Sequence, residues 1–227
     1  MIPGTTERRN QTCASAKKLS LRLKRPCAET REAVNTLRGN LQINGREIKL
    51  IAVTGVQPDD GKPSIAFWLA ESMANLKGQN LYLDCDIRNS IKKSRDMKDR
   101  KSAGLTEYLS GAAGLVDIIH RADDSGLDMI FAGGEAPDPG SLLSGSKFHM
   151  LLKQARARYD HVIIETPPVN TAIDAALIAS RCDGTVLVIE SGETDRDQAR
   201  GAKLQLEFSG AKILGAVLRK RKRGKHP

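Results

Sequence analysis

The chain has 227 residues, 40% of them hydrophobic and 28% charged, a composition that suits one sizeable core with tails and leaves little length for a second full domain. No apolar run approaches the roughly 20 residues of a membrane span, Met1 to Asn10 lacks the apolar stretch of a secretory leader, and four scattered cysteines without a CxxC pair point to neither a zinc site nor a disulfide framework. The net charge of +9 sits at the ends: residues 1–31 and 219–227 each hold +6, which leaves −3 for the body between them and argues against a nucleic-acid groove built on the fold.

Residues 1–28 read as a basic segment without structure of its own, residues 29–218 as an α/β domain, and residues 219–227 as a basic tail suited to an anionic membrane surface, an acidic partner or plain solvation. Within the domain, Glu29–Ile43 has helical period and Ile48–Thr54 is the first strand. A helix is expected over Ser64–Leu76, a strand over Leu81–Asp84, short helical pieces over Gly104–Leu109 and Leu115–His120, and a strand over Leu127–Phe131. Then follow helix Ser141–Arg158, strand His161–Glu165, helix Ala172–Arg181, strand Thr185–Ile189, helix Arg196–Phe208 and strand Ile213–Leu218. Several strands are continuously apolar, as strands covered on both faces must be. The alternation therefore predicts a doubly wound, mostly parallel sheet that binds ligands beyond the carboxyl ends of its strands.

Directly after the first strand comes Thr54-Gly55-Val56-Gln57-Pro58-Asp59-Asp60-Gly61-Lys62-Pro63-Ser64, which then opens a helix. That is the place of a phosphate loop, although the pattern GxxxxGK[ST] would put glycine at Val56 and a hydroxyl at Pro63. Two more acidic elements end later strands: Asp84-Cys85-Asp86-Ile87-Arg88 and Glu165-Thr166-Pro167-Pro168. A lysine and helix N-terminal amides neutralise phosphates, while carboxylates hold the magnesium that bridges phosphate oxygens. Pro58, Asp59, Asp60, Gly61, Lys62, Pro63 and Ser64 are the candidate nucleotide contacts; Lys62, Asp84 and Asp86 are the candidate catalytic groups. Ser64, Asp84, Asp86 and Glu165 are the candidate metal ligands, with ATP and Mg2+ as the implied cofactors.

These residues resemble the CpsD/CapB-type bacterial tyrosine kinases, P-loop proteins of the MinD/ParA-like group. The resemblance runs from Glu32 onward through Leu37-Arg38-x-Asn40-Leu41, the phosphate loop, Asp84-Cys85-Asp86-Ile87-Arg88-Asn89-Ser90, Gly104-Leu105-Thr106, Pro137-Asp138-Pro139, and Glu165-Thr166-Pro167-Pro168 with Asp174-Ala175. It implies an ATP- and magnesium-dependent kinase of capsular or exopolysaccharide synthesis, cytoplasmic and peripheral at the inner face of the membrane. It further implies activation by a membrane adaptor of polysaccharide co-polymerase type, and a homo-oligomer when bound to that adaptor. Lys62 and Ser64 would lie in Walker A, Asp84 and Asp86 in the second Walker-like motif, and Glu165 in Walker B.

Several positions depart from the family pattern. Asp59 stands where the family loop has glycine, Pro63 where it has the magnesium-binding serine, Glu165 where it has aspartate, and Asn35 where it has an arginine of the assembly helix. The chain ends in Arg-Lys-Arg-Gly-Lys-His-Pro without a tyrosine cluster, so phosphorylation of its own tail is not expected. Three readings stay open: an active tyrosine kinase, a catalytically impaired scaffold for a membrane adaptor, and a MinD/ParA-like ATPase switch.

Overall fold

A computed structural model describes residues 17–19, 26–43, 48–76, 78–88 and 103–220. Its strands are β1 (Lys17–Leu19), β2 (Leu50–Gly55), β3 (Asn80–Asp84), β4 (His120–Ala122), β5 (Asp128–Ile130), β6 (His161–Glu165), β7 (Gly184–Glu190) and β8 (Ile213–Arg219). The helices are α1 (Ala28–Ile43), α2 (Lys62–Ala74), α3 (Leu105–Ser110), α4 (Leu115–Ile118), α5 (Pro139–Ser144), α6 (Ser146–Arg158), α7 (Asp174–Ala179) and α8 (Arg196–Phe208). One sheet orders the strands β1-β4-β5-β3-β6-β2-β7-β8, and every pair is parallel except β4 with β5.

Alternation along the strands sends successive side chains to opposite faces, and both faces are covered. Ile51, Val53, Tyr82, Ile163, Val186 and Val188 meet Leu41 of α1 and Ile65, Leu69 and Met73 of α2. On the other face, Leu81, Leu83, Val162 and Ile164 meet Phe148, Leu151, Leu152 and Ala155 of α6, whose spacing makes one apolar stripe. Ala52 and Leu187 pack with Ala175 and Ala179 of α7 and Ala202 and Leu206 of α8. Fully burying side chains of this size stabilises by about 1.5–3 kcal/mol each, so the sheet order is held chiefly by these two layers.

The doubly wound, mostly parallel sheet expected from the sequence is present. Four local differences have identifiable causes. The helix expected over Ser141–Arg158 is two helices, because Gly145 between them is extended (ψ 164°) and serves as the N-cap of α6. The helical piece expected to reach His120 stops at Ile118, and His120 begins β4, which returns antiparallel to β5 through a turn with Gly126 at φ 67°. Lys17–Leu19 pair with β4 inside the segment read as lacking structure, most of which lies outside the described residues. Arg219 ends β8 and belongs to the sheet, whereas residues 221–227 of the basic tail lie outside the described residues.

Helix α1 is fixed to α2 by polar contacts as well as by Leu41. Arg38 Nη1 donates to the Ser72 carbonyl (2.8 Å) and lies 3.0 Å from Ser72 Oγ, which donates to Asn35 Oδ1 at 2.9 Å. Asn35 thus serves the packing of α1 inside the chain. At the other end of β2, Asp183 Oδ2 accepts the Lys49 and Leu50 amides, each at 2.8 Å, and Asp183 Oδ1 pairs with Arg156 Nη2 at 2.5 Å. Burial tends to raise the Asp183 pKa, but the Arg156 hydrogen bond and the two amides outweigh it and hold the carboxyl below its usual range.

Candidate functional site

The strand register decides what meets at the carboxyl edge of the sheet. Val53 pairs with Glu165 and Asp84 pairs with Glu165, so β2, β6 and β3 end side by side. Beyond β2 the chain turns through Val56 to Gly61 and enters α2. Val56 is wholly buried in the cluster that holds Val169, Ala175 and Leu187, so the side chain that replaces a loop glycine anchors the loop to the core. The Val169 and Asn170 amides donate to the Gly55 and Val56 carbonyls (2.9 and 3.4 Å), and Thr54 Oγ1 donates to the Pro167 carbonyl (3.0 Å). These bonds fasten the loop to the segment that follows Glu165.

Lys62 is the first residue of α2 and only 3% exposed. Its Nζ lies 3.5 Å from Asp86 Oδ2 and 3.9 Å from Glu165 Oε1. The Asp86 amide donates to Asp84 Oδ1 at 2.9 Å, and the Tyr82 hydroxyl donates to Glu165 Oε2. Burial, followed by the Glu165 and Asp84 carboxylates, pushes the Tyr82 pKa well above its ordinary value, which keeps the phenol a donor. Lys62, Asp84, Asp86 and Glu165 therefore converge at the mouth of the sheet, nearly closed to solvent. Among the described residues, the Lys62 ammonium and these carboxylates are the kinds of group that a phosphate and its metal ion require.

The loop itself departs from expectation. Asp59 has φ 63°, the single non-glycine residue at positive φ among the described residues, and its side chain is exposed. Asp59 stands where the family loop has glycine, but it is the neighbouring Asp60 whose carboxylate turns inward. Left-handed backbone at Asp59 and at Gly61 (φ 76°) leaves the residue between them facing the inside of the loop. Pro58 is exposed, Pro63 is half-buried at the second position of α2 without an amide hydrogen, and Ser64 is exposed. Ser64 is thus not brought to the carboxylates, because one helical position turns a side chain by about 100°. Among the described residues no cluster of three or more His, Cys, Asp or Glu is arranged to hold a metal ion.

Two further pairs bear on the site that motif reasoning assigned no role. Arg219, at the end of β8, donates from Nη1 to the Asp59 carbonyl (3.2 Å) and pairs with Glu190 Oε1 (3.4 Å); it lies so close to Gly61 that a Cβ there would meet its Cζ at 2.4 Å. Arg88 Nε donates to Asp174 Oδ2 at 2.6 Å, and Asp174 is wholly buried. Arg88 and Asp174 were visible as motif residues. Arg219 carried no signal, since it is 160 positions from Asp59 and looks like the start of a basic tail.

A buried lysine at the start of the helix that follows the first core strand, facing acidic groups at the ends of two neighbouring parallel strands, defines a P-loop-type nucleotide-binding fold. No protein-family model matches the chain. It is 38% identical over 196 residues to the tyrosine-protein kinase CpsD of Streptococcus agalactiae, covering 86% of each chain. The kinase domain of the Escherichia coli tyrosine kinase ETK superposes with a TM-score of 0.79 at 31% identity, over 87% of this chain and 78% of that one. The septum site-determining protein MinD of Pyrococcus horikoshii, complexed with Mg-ADP, shares the fold at a TM-score of 0.62 and 17% identity, over 78% of this chain and 72% of that one. The chain belongs to the family of bacterial tyrosine-protein kinases that includes CpsD and ETK, as the motif resemblance implied.

Proposed function

We propose that the chain binds ATP with magnesium at the Lys62 loop and serves polysaccharide assembly as a tyrosine-kinase-family protein whose phosphate site is weakened. The supporting observation is the Lys62 ammonium, buried between Asp86 and Glu165 at the start of α2. Lys62 and the helix amides are suited to the phosphates, and Asp84, Asp86 and Glu165 to the metal; a magnesium nucleotide brings much of its own coordination through phosphate oxygens and waters. Bound ATP supplies the phosphoryl group for a tyrosine hydroxyl. The chain's own residues orient the phosphates and keep the charged groups out of water. Asp84 and Asp86, held together by the Asp86 amide, are suited to fix the metal side.

Pro63 favours a second reading, a scaffold with little turnover, because it removes both a hydroxyl and an amide from the metal side of the loop. In either reading we place the chain in the cytoplasm at the membrane face, bound to an adaptor of polysaccharide co-polymerase type, as a homo-oligomer when so bound. Residues 1–28 and 219–227 would add attraction to anionic lipid. The domain responsible is residues 29–218. Calorimetric titration with Mg-ATP and Mg-ADP, followed by a phosphotyrosine assay on the adaptor-bound protein, tests this. Binding with phosphotransfer supports the kinase, binding without it the scaffold, and no binding at millimolar nucleotide rejects the nucleotide reading.

A further inference from the structure

The inside of the phosphate loop holds a side chain of the protein's own. Asp60 is 1% exposed, and its Oδ1 accepts the Lys62 amide at 3.0 Å. That amide, at the N-terminus of α2, is among those that a phosphate loop turns toward a bound phosphate. The other oxygen, Oδ2, lies across the loop against Gly55, where a Cβ built on Gly55 would stand 1.4 Å from it. A side chain at position 55 would therefore have to displace the carboxylate that lies over it.

An ordinary helix cap accounts for only half of this. A carboxylate that caps a helix start needs only one oxygen to accept an amide. Here Asp60 Oδ2 is buried without a hydrogen-bond partner, a costly arrangement that a cap does not need. Burial raises the Asp60 pKa, and the Lys62 amide, the Lys62 ammonium, the nearby Gln57 amide and Arg219 act against that rise. These are the surroundings of an anion site: a helix N-terminus, a lysine at the loop's end and an arginine over its rim. Arg219 closes the rim from the β8 side through the Asp59 carbonyl and its contact with Gly61.

We propose that the Asp60 carboxylate is a built-in occupant of the phosphate cradle, standing where a ligand phosphate must sit, so that nucleotide enters only as Asp60 swings out. This rests on the nucleotide reading of the loop and adds a residue that sets its affinity. Loss of Asp60 then has two opposite effects. It removes a cap, which lowers stability, and it frees the Lys62 amide and the space over Gly55, which raises anion affinity.

The test is calorimetric titration of the full chain and of Asp60→Ala and Asp60→Asn with pyrophosphate and, separately, with Mg-ADP, alongside amide hydrogen exchange at Lys62. Expected are a gain of about tenfold or more for pyrophosphate in Asp60→Ala, since one buried competing charge-assisted contact is removed, and a smaller gain in Asp60→Asn, which keeps the shape. The Lys62 amide exchanges slowly in the unsubstituted chain, faster in Asp60→Ala, and slowly again with pyrophosphate. If Asp60→Ala does not fold, the Asp60→Asn result decides alone. Lower stability with no gain for pyrophosphate in any folded variant overturns the proposal and leaves Asp60 a cap. A gain for pyrophosphate, with no Mg-ADP binding to the parent chain or to any variant, upholds the self-occupied cradle and rejects the nucleotide reading.

Discussion

Replacing Pro63 with serine should strengthen magnesium-nucleotide binding while slightly weakening the fold. In the structure Pro63 is the second residue of α2, directly after the buried Lys62, and has no amide hydrogen to offer. Serine there restores an amide at the helix N-terminus and a hydroxyl beside Lys62. A hydrogen bond to a charged group contributes about 1.5–3 kcal/mol, so one or both groups engaging the phosphate-metal unit should tighten binding by roughly 10- to 100-fold. On the stability side, proline in the first turn of a helix restricts the unfolded chain, and its loss costs about 0.4–1 kcal/mol. For a domain of this size that corresponds to a fall in Tm of roughly 1–4 °C. The assay is calorimetric titration of Pro63→Ser and the parent chain with Mg-ADP, and with ADP in excess EDTA, plus thermal melts by circular dichroism. A gain that needs magnesium assigns it to the hydroxyl; a gain that survives EDTA assigns it to the amide. Unchanged Mg-ADP affinity in a folded Pro63→Ser protein would refute the reasoning that Pro63 weakens the site.

Three further outcomes follow from the geometry. Asp59→Val puts a β-branched residue at φ 63° and should lower stability by about 1–2 kcal/mol, a Tm fall of roughly 2–8 °C by thermal melt; an unchanged Tm would mean the loop readily leaves this conformation. Lys62→Ala removes the buried ammonium that faces Asp86 and Glu165, so urea unfolding should show a loss of about 3 kcal/mol or more, along with loss of nucleotide binding; equal stability would mean that the Lys62 ion pairs contribute nothing to the fold. Asp183 has a folded pKa below its unfolded value, so its contribution is present above the ordinary aspartate range and is lost as pH falls through the folded value. Asp183→Asn should therefore flatten the acid limb of the stability profile and cost about 1–3 kcal/mol at neutral pH, as its amide meets Arg156 and the Lys49 and Leu50 amides less well; an acid limb parallel to that of the parent chain would contradict this.

What local sequence dictates was legible without coordinates. His161–Glu165 and Arg196–Phe208 were expected at their observed bounds, because an apolar run and a helical period each show in the local sequence; in the structure Asp195 and Gln198 form the capping box that opens the helix. The order of strand, loop and helix around Lys62, and the acidic groups at two strand ends, were equally readable, since the parallel sheet sets all three at one edge once the alternation is seen. Three-residue β4 was not, because His-Arg-Ala has no period and its strand character comes from pairing with β5 and β1. Nor could the sequence say which of two adjacent aspartates faces inward. That depends on left-handed backbone at Asp59 and Gly61, on the Lys62 amide that Asp60 caps, and on Arg219 arriving from the end of the last strand. Periodicity and motif spacing carry contacts between near neighbours in the chain, whereas the direction of a loop side chain is settled by groups that only the folded sheet brings within reach.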